Sequence, residues 1–325
     1  MNLSNEQIRM LVKGAASYEE CAEGLRLHRF TKQEREYYKT VSEDFYMKAH
    51  SSSGVRLEFT TDSRRFSFAA LTAPGSSRPF CHFDLYRDGI YMGQVGTEQM
   101  GSGVAGEFDL GEGEKELRLY FPWSAAPTLT RVTLDDGASF APLKKAHTML
   151  IYGDSITQGY DTHHPSLSYA SLLTDALDAE GFNKAIGGEF FCPGLVEAGD
   201  GTAPDIITVA YGTNDWSKKT KEEFETNCRG FYETLSRKYP DAKIFAITPI
   251  WRGDCQKRIT EAGEFPRIAK TIEAVAASLP NVTVLHGYDC VPKEERFFAD
   301  LYLHPNDEGF VHYFEGIYQQ IKQYM

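Results

Sequence analysis

Four short segments hold residue types that acyl-transfer chemistry needs. The first runs Leu150-Ile151-Tyr152-Gly153-Asp154-Ser155-Ile156-Thr157-Gln158-Gly159, an apolar run that breaks into Gly-Asp-Ser and leaves through a turn-rich exit. A strand that stops at a glycine presents the next serine at its carboxyl end, where ligands of open α/β sheets collect. A helix starting there points free backbone N–H groups at the same place, which favours developing negative charge. The second segment is Ala185-Ile186-Gly187-Gly188-Glu189, whose glycines let backbone approach a ligand closely. The third, Gly212-Thr213-Asn214-Asp215, directly follows the apolar run Ile206–Tyr211. The fourth is His304-Pro305, with Asp300 upstream and a helical pattern downstream. Singly these are a turn, a cap and a helix start. In chain order they bring a serine, a glycine, an asparagine and a histidine to loops beside strand or helix ends, the setting of an active site.

The elements that must position them follow from periodicity. Strands are expected over Thr148–Tyr152, Ile206–Tyr211, Ile244–Thr248 and Val282–Leu285. Their apolar continuity suits strands buried on both faces. Between them Leu167, Ala170, Leu173 and Leu177 form one helical stripe. Thr220-Lys-Glu-Glu223 reads as a capping box ahead of Phe224, Cys228, Phe231 and Leu235. Phe265–Leu279 is a further helix, and Phe310, Phe314, Ile317 and Ile321 mark the last. Strand and helix in alternation imply a parallel sheet with helices on both faces, a three-layer α/β/α sandwich.

The first half has a different period. Residues 3–20 suit a short helix. From about Phe45 apolar and polar residues alternate, as at Val55, Leu57 and Phe59, at Phe66 and Phe68, and at Leu117, Leu119 and Phe121. Asp88-Gly89 supplies a hairpin turn into Ile90–Val95. Such short strands indicate an antiparallel β-sandwich, expected at roughly 40–142. Its aromatic and charged side chains (Phe80, His82, Tyr86, Tyr91, Trp123) could line a sugar-binding surface; the preferred reading is that they pack against the second domain, shape the mouth of its site or mediate dimerisation. The glycine-rich Gly101–Gly106 lacks the strand-then-helix setting of a phosphate loop and reads as a flexible connection. The expected organisation is an N-terminal segment with a β-sandwich over 1–142 and a catalytic domain over 143–325.

Bulk composition narrows the function classes. At 325 residues, with 42% hydrophobic and 25% charged, the chain suits one large or two smaller soluble domains. A formal net charge of −12 with no concentrated basic face argues against nucleic acid as a partner. No apolar run is long enough for a membrane span, and the N-terminus lacks a secretory pattern, so the cytoplasm is the expected compartment. Six cysteines without a Cys-x-x-Cys pair read as reduced thiols. Cys192 has no obvious activating partner and reads as buried.

The blocks Gly153-Asp154-Ser155, Asn183–Gly188, Gly212-Thr213-Asn214-Asp215 and His304-Pro305-Asn306-Asp307 resemble those of the GDSL, or SGNH, hydrolase superfamily. The resemblance covers about 145–325. The first half resembles the jelly-roll-like β-sandwich found ahead of some esterases of this superfamily, with an Asp84-Leu85-Tyr86 signature. The layout is similar to that of carbohydrate acetylesterases, and a related arrangement occurs in acyltransferases. The resemblance implies a flavodoxin-like fold and a serine esterase with no cofactor and no metal. Ser155 is then the nucleophile and His304 its base. The Ser155 N–H, the Gly188 N–H and the Asn214 amide form the oxyanion hole. Asp154 and Asp215 read as loop-fixing groups. The family pattern places the acid three residues before the histidine, where this chain has Leu301. Either the loop bulges and Asp300 still reaches the imidazole, or another group orients it; Asp300 is the preferred candidate. Trp251, Arg252 and His163 are candidates to line the substrate. The expected reaction is hydrolysis of a short acyl ester, acetyl foremost, of a carbohydrate or similar hydroxylated compound. An acyltransferase using the same site and an inert carbohydrate-binding protein are the alternatives. An acetylated oligosaccharide is the leading partner, with homo-oligomerisation left open.

Overall fold

The strand-and-helix alternation after residue 145 builds a five-stranded, all-parallel sheet in the computed structural model, which describes residues 1–101, 103–199 and 201–325. Its strands lie in the order Ala179–Asn183, His147–Gly153, Ile206–Ala210, Lys243–Ile247, Val282–Leu285. Chain order reverses at His147–Gly153, so a crevice opens beyond its carboxyl end, beside that of Ile206–Ala210. Ala179–Asn183 was not among the expected strands. It lies at the sheet edge and is interrupted by Gly181, where a Cβ would meet Thr174 Cγ2 at 2.2 Å.

Helices cover both faces and bury separate cores. Tyr169–Ala176 and Asp307–Ile321 pack on one face, Lys221–Lys238 and Phe265–Ala276 on the other. Thr220 Oγ1 accepts from the Glu223 N–H at 3.2 Å, and the Glu223 carboxylate accepts from the Thr220 N–H at 2.8 Å. That reciprocal cap is worth about 1 kcal/mol. The last helix turns Phe310, Tyr313, Ile317 and Ile321 inward. Phe314, expected on that stripe, is half-buried instead and stacks on Tyr318.

The first half is two antiparallel sheets, of six and five strands, over one apolar core. Asp88 and Gly89 have φ of 51° and 75° between the paired Arg87 and Ile90, the backbone a tight hairpin requires. Two expectations change here. Only Asn5–Leu11 of the segment 3–20 is helical, and the strands Ser17–Cys21 and Gly24–His28 follow, so the sandwich begins well before residue 40. Ser17–Cys21 is an exposed edge strand, and its polar residues carry no alternating signal. Residues 103–109 of the glycine-rich stretch form a strand paired with Arg65–Leu71, while Ser102 lies outside the described residues. Gly106 is small for packing reasons: a Cβ there would stand 2.9 Å from the rings of Phe68 and Phe108. Between the early strands and the sandwich proper, helices Lys32–Val41 and Glu43–Lys48 carry Tyr38 and Ala49 at or beside their ends into the core of the parallel sheet.

Candidate active site

Strand His147–Gly153 ends where its last residue must lack a side chain. A Cβ on Gly153 would lie 2.1 Å from Thr157 Oγ1, so the glycine permits the sharp turn into the short helix Ser155–Gln158. Asp154 caps that helix, accepting from the Ile156 N–H at 3.0 Å. The turn leaves Ser155 Oγ 2.9 Å from His304 Nε2. On the other side of the ring, His304 Nδ1 is 2.8 Å from Asp300 Oδ2. Three groups from two segments far apart in sequence therefore stand in line.

The one-residue departure from the family spacing is absorbed by Leu301. This exposed leucine has φ of 69°, a left-handed conformation that costs a non-glycine residue roughly 1–2 kcal/mol. The bulge lets Asp300 Oδ1 accept from the N–H groups of Tyr302, Leu303 and His304 at 3.1, 2.8 and 3.0 Å. Burial works against the Asp300 charge, but the hydrogen bonds from the imidazole and from the Leu303 N–H outweigh it. They hold the carboxyl well below the usual range.

The glycine loop and the asparagine meet beside the serine's strand. Gly188 has φ of 90°, accessible to glycine at little cost. Asn214 donates one amide hydrogen to Glu189 O at 2.9 Å, and its amide nitrogen carries a second hydrogen outside that bond. Lys48 and Lys218 each donate to the loop, at Gly187 O and Gly188 O, both at 3.0 Å. The Gly187 N–H donates to Gln158 Oε1 at 2.7 Å. Gln158 in turn donates to Trp123 O and Ser51 Oγ, at 3.1 and 3.2 Å, which ties the serine's helix to the sandwich.

Buried acids under the loops were only partly foreseen. Asp215 fixes the glycine segment by accepting from the Phe191 N–H at 3.2 Å. Glu189 accepts from the hydroxyls of Tyr38 and Tyr211 at 2.7 and 2.8 Å. Burial pushes Asp154 up to about 6, Asp215 to about 7 and Glu189 to about 8. These groups bind protons more tightly folded than unfolded, so rising pH through their window costs stability. His28, pushed down to about 4 by burial, acts in the opposite sense, but only below its ordinary value of 6.5. The melting temperature is therefore expected to fall between about pH 6.5 and 8.5. Glu189→Gln should flatten that fall, since its amide can accept from one tyrosine hydroxyl and donate to the other. Calorimetry of both proteins across this range checks the sign.

The remaining candidates sit elsewhere. Arg252 does not line an open space: it is buried, paired with Asp254 at 2.5 Å, and donates to Thr213 O and Ser217 Oγ at 3.2 and 3.1 Å. It braces the helix Thr213–Lys218 that carries Asn214. Trp251 packs on Phe298, with ring centroids 5.3 Å apart, and Phe298 pairs with Pro305 beside the histidine. His163 lies at the seam with the sandwich, its ring over His82 at 4.4 Å and its N–H donating to Asp307 at 2.8 Å. His82, Glu98 and His163 have ligand-type atoms within 4.8 Å of one another, with His82 Nε2 3.0 Å from Glu98 Oε1. Cys192 is half-buried, not buried, lies 2.6 Å from Tyr37 Oη, and its thiol is pushed up to about 11 by burial. A groove of about 1110 Å³ between Lys221–Lys238 and Phe265–Ala276 includes none of the serine, histidine or asparagine groups.

The sandwich contributes more than sequence reading assigned to it. Asp84, of the Asp-Leu-Tyr signature, accepts from Ser166 N–H and Oγ–H at 3.1 and 2.7 Å. Trp123 Nε1–H donates to Thr162 O at 2.9 Å. Buried Arg29 donates to Asn183 O and Ala185 O at 2.8 and 2.6 Å, ahead of the glycine pair. Trp123 thus meets the second domain as expected, the Asp84 signature did not reveal its partner, and an arginine before a helix carries no periodic signal, so the Arg29 tie was not legible. Among the described residues no helix is long and apolar enough to cross a membrane.

The GDSL-like lipase/acylhydrolase family matches residues 151–310. No curated protein matches the chain in sequence. Among solved structures, the salicylyl-acyltransferase SsfX3 from a tetracycline biosynthetic pathway is similar, with a TM-score of 0.87 and 19% identity, over 100% of this chain and 97% of that one. A GDSL-like lipase from Bacteroides ovatus has a TM-score of 0.76 and 20% identity, over 97% and 95% of the two chains. A family two carbohydrate esterase from Clostridium thermocellum has a TM-score of 0.69 and 16% identity, over 96% and 98%. At these identities the likeness is one of fold, and it spans the sandwich as well as the parallel sheet. The segment 151–310, with its serine, glycine, asparagine and histidine blocks, is a GDSL-like lipase/acylhydrolase domain.

Proposed function

We propose that this protein is a serine esterase that removes a short acyl group, acetyl foremost, from a carbohydrate or a similarly hydroxylated alcohol. The observation that carries the reading is the in-line set Ser155, His304 and Asp300, spaced at 2.9 and 2.8 Å. In the first step Ser155 Oγ attacks the ester carbonyl while His304 Nε2 takes its proton. The negative charge that forms on the carbonyl oxygen is met by the N–H groups of Ser155 and Gly188 and the free amide hydrogen of Asn214. The imidazolium then protonates the leaving alcohol, and the same base activates water to release the acid.

Lys218 Nζ and Phe45 Cε1 stand 3.4 and 3.8 Å from where a Gly188 Cβ would be, so both border the proposed oxyanion donor. A carbohydrate alcohol is favoured by the layout shared with the family two carbohydrate esterase. The test is a series of p-nitrophenyl esters from acetyl to octanoyl together with acetylated oligosaccharides, run beside Ser155→Ala. Fastest release of acetate, lost in the variant, is expected. Ester formation with an added alcohol in place of free acid would make the protein an acyltransferase. Glycan binding without turnover would make it a binding protein.

Asn214→Ala is expected to lower kcat by about a hundred- to a thousandfold with KM little changed, because the donor acts only on charge that develops in the transition state. Steady-state kinetics on the fastest ester checks this, and a loss confined to KM would remove Asn214 from the oxyanion hole.

A further inference from the structure

A second carboxylate reaches the imidazole, and a residue of the sandwich controls it. Asp161 Oδ2 lies 3.3 Å from His304 Nδ1, the nitrogen that Asp300 Oδ2 approaches at 2.8 Å. One N–H cannot serve both oxygens in line. Asp161 is held back by Arg78, from the sandwich loop at residues 75–80, whose Nε and Nη2 donate to its two oxygens at 2.5 and 2.8 Å. Such a bidentate fork fixes orientation as well as charge. The arrangement is kept at some backbone cost, because Asp161 has φ of 70°.

The same loop supports the ring from its face. Tyr160 stacks on His304 with centroids 5.6 Å apart and planes 29° from parallel. Arg78 lies over that tyrosine at 5.4 Å, and the Ser77 N–H donates to its hydroxyl at 3.4 Å. Arg78 is 31% and Asp161 10% exposed, so the pair is partly shielded from solvent.

We propose that Arg78 is a positioning residue for the catalytic imidazole: it holds Asp161 as a restrained second carboxylate, so that Asp300 keeps the Nδ1 proton and Nε2 stays aimed at Ser155. The sandwich domain thereby completes the active site. The inference rests on the serine esterase reading and goes beyond it.

The charged and titratable groups around His304 fix what each substitution does. On its own loop there is Asp300; from residues 154–161 come Asp154, Ser155, Tyr160 and Asp161; from the sandwich comes Arg78. Removing Arg78 deletes a cation and frees an anion, and both changes favour the protonated ring. Removing the charge of Asp161 leaves Arg78 unpaired beside the ring and disfavours that form. Arg78→Gln should therefore move the acid limb of kcat/KM to higher pH, Asp161→Asn to lower pH, each by about half a unit or more. The double substitution should return it close to wild type. In Arg78→Gln kcat on a p-nitrophenyl ester should drop about tenfold or more with KM little changed, since the reacting geometry loosens while substrate contacts stay. Arg78→Lys, a point charge without the fork, should restore the limb but only part of kcat.

A merely structural tie between the two domains would lower the melting temperature of both variants and leave the limb in place. Limbs that stay put, or that move in the same direction, overturn the proposal. So does an Arg78→Gln enzyme with wild-type kinetics. The ring signal of His304, followed by NMR in the wild type and the same variants, reads the opposed shifts without any turnover. Failure of the esterase reading, seen as wild-type inactivity on every ester, therefore remains distinguishable from failure of this one.

Discussion

Ser155→Ala is expected to lower kcat on a short ester by about five to six orders of magnitude while the folded protein keeps its melting temperature within a few degrees. In the proposed reaction the hydroxyl is the attacking group, and it is the partner of His304 Nε2, at 2.9 Å. Nothing else described in the turn at residues 153–158 depends on it. Gly153 sets the turn, Asp154 caps the helix through the Ile156 N–H, and Gln158 anchors it to the sandwich, all without Ser155 Oγ. Loss of one partly buried hydrogen bond costs about 1 kcal/mol of stability, far below what a fold of this size needs to lose before melting. The residual rate should still exceed that in water, because the Asn214 amide and the two N–H groups remain. His304→Ala should be nearly as inactive, and the double variant hardly worse than either, since nucleophile and base act as a unit. An alanine variant with more than about a hundredth of wild-type kcat would move the nucleophile elsewhere.

The parallel sheet was legible in sequence because its buried strands read as unbroken apolar runs, as Ile206–Ala210 does. The capping box at Thr220 and the hairpin at Asp88-Gly89 were legible because their chemistry is local. The serine, glycine, asparagine and histidine could be found because each stands in a loop adjoining a strand or helix end. What escaped is what depends on contacts across the molecule. Ala179–Asn183 pairs as an edge strand through backbone alone, and Ser17–Cys21 does the same in the sandwich. Arg29 and Arg78 sit in segments with no distinguishing pattern, Gln158 and Asp84 in motifs whose partners the motifs do not reveal, and only the packed chain shows all four gripping the site loops. The position of Asp300 relative to the histidine left two readings of the loop open. The left-handed Leu301 selects the bulged one, a conformation rare enough for leucine that no propensity argument would choose it.

That bulge gives Asp300 two separable tasks, one for each carboxylate oxygen, and Asp300→Asn tests them apart. Asparagine can keep Oδ1 where it accepts from Tyr302, Leu303 and His304, so the loop should hold its shape. The amide nitrogen then replaces Oδ2 at 2.8 Å from His304 Nδ1, and a donor there requires the ring nitrogen to accept. The proton moves to Nε2, where it faces Ser155 and prevents that nitrogen from acting as a base. We expect kcat to fall by about 10⁴ with KM and melting temperature close to wild type. Asp300→Ala removes both oxygens, and three N–H groups lose their acceptor at about 1 kcal/mol each. It should be as inactive as the asparagine variant and markedly less stable. Kinetics paired with thermal melts therefore separates the orienting role from the scaffolding role. If Asp300→Asn retained more than about a tenth of wild-type kcat, the imidazole would have another acceptor, and the nearest is Asp161, at 3.3 Å. Loss of that residual activity on adding Asp161→Asn would then identify Asp161 as the group that orients the ring.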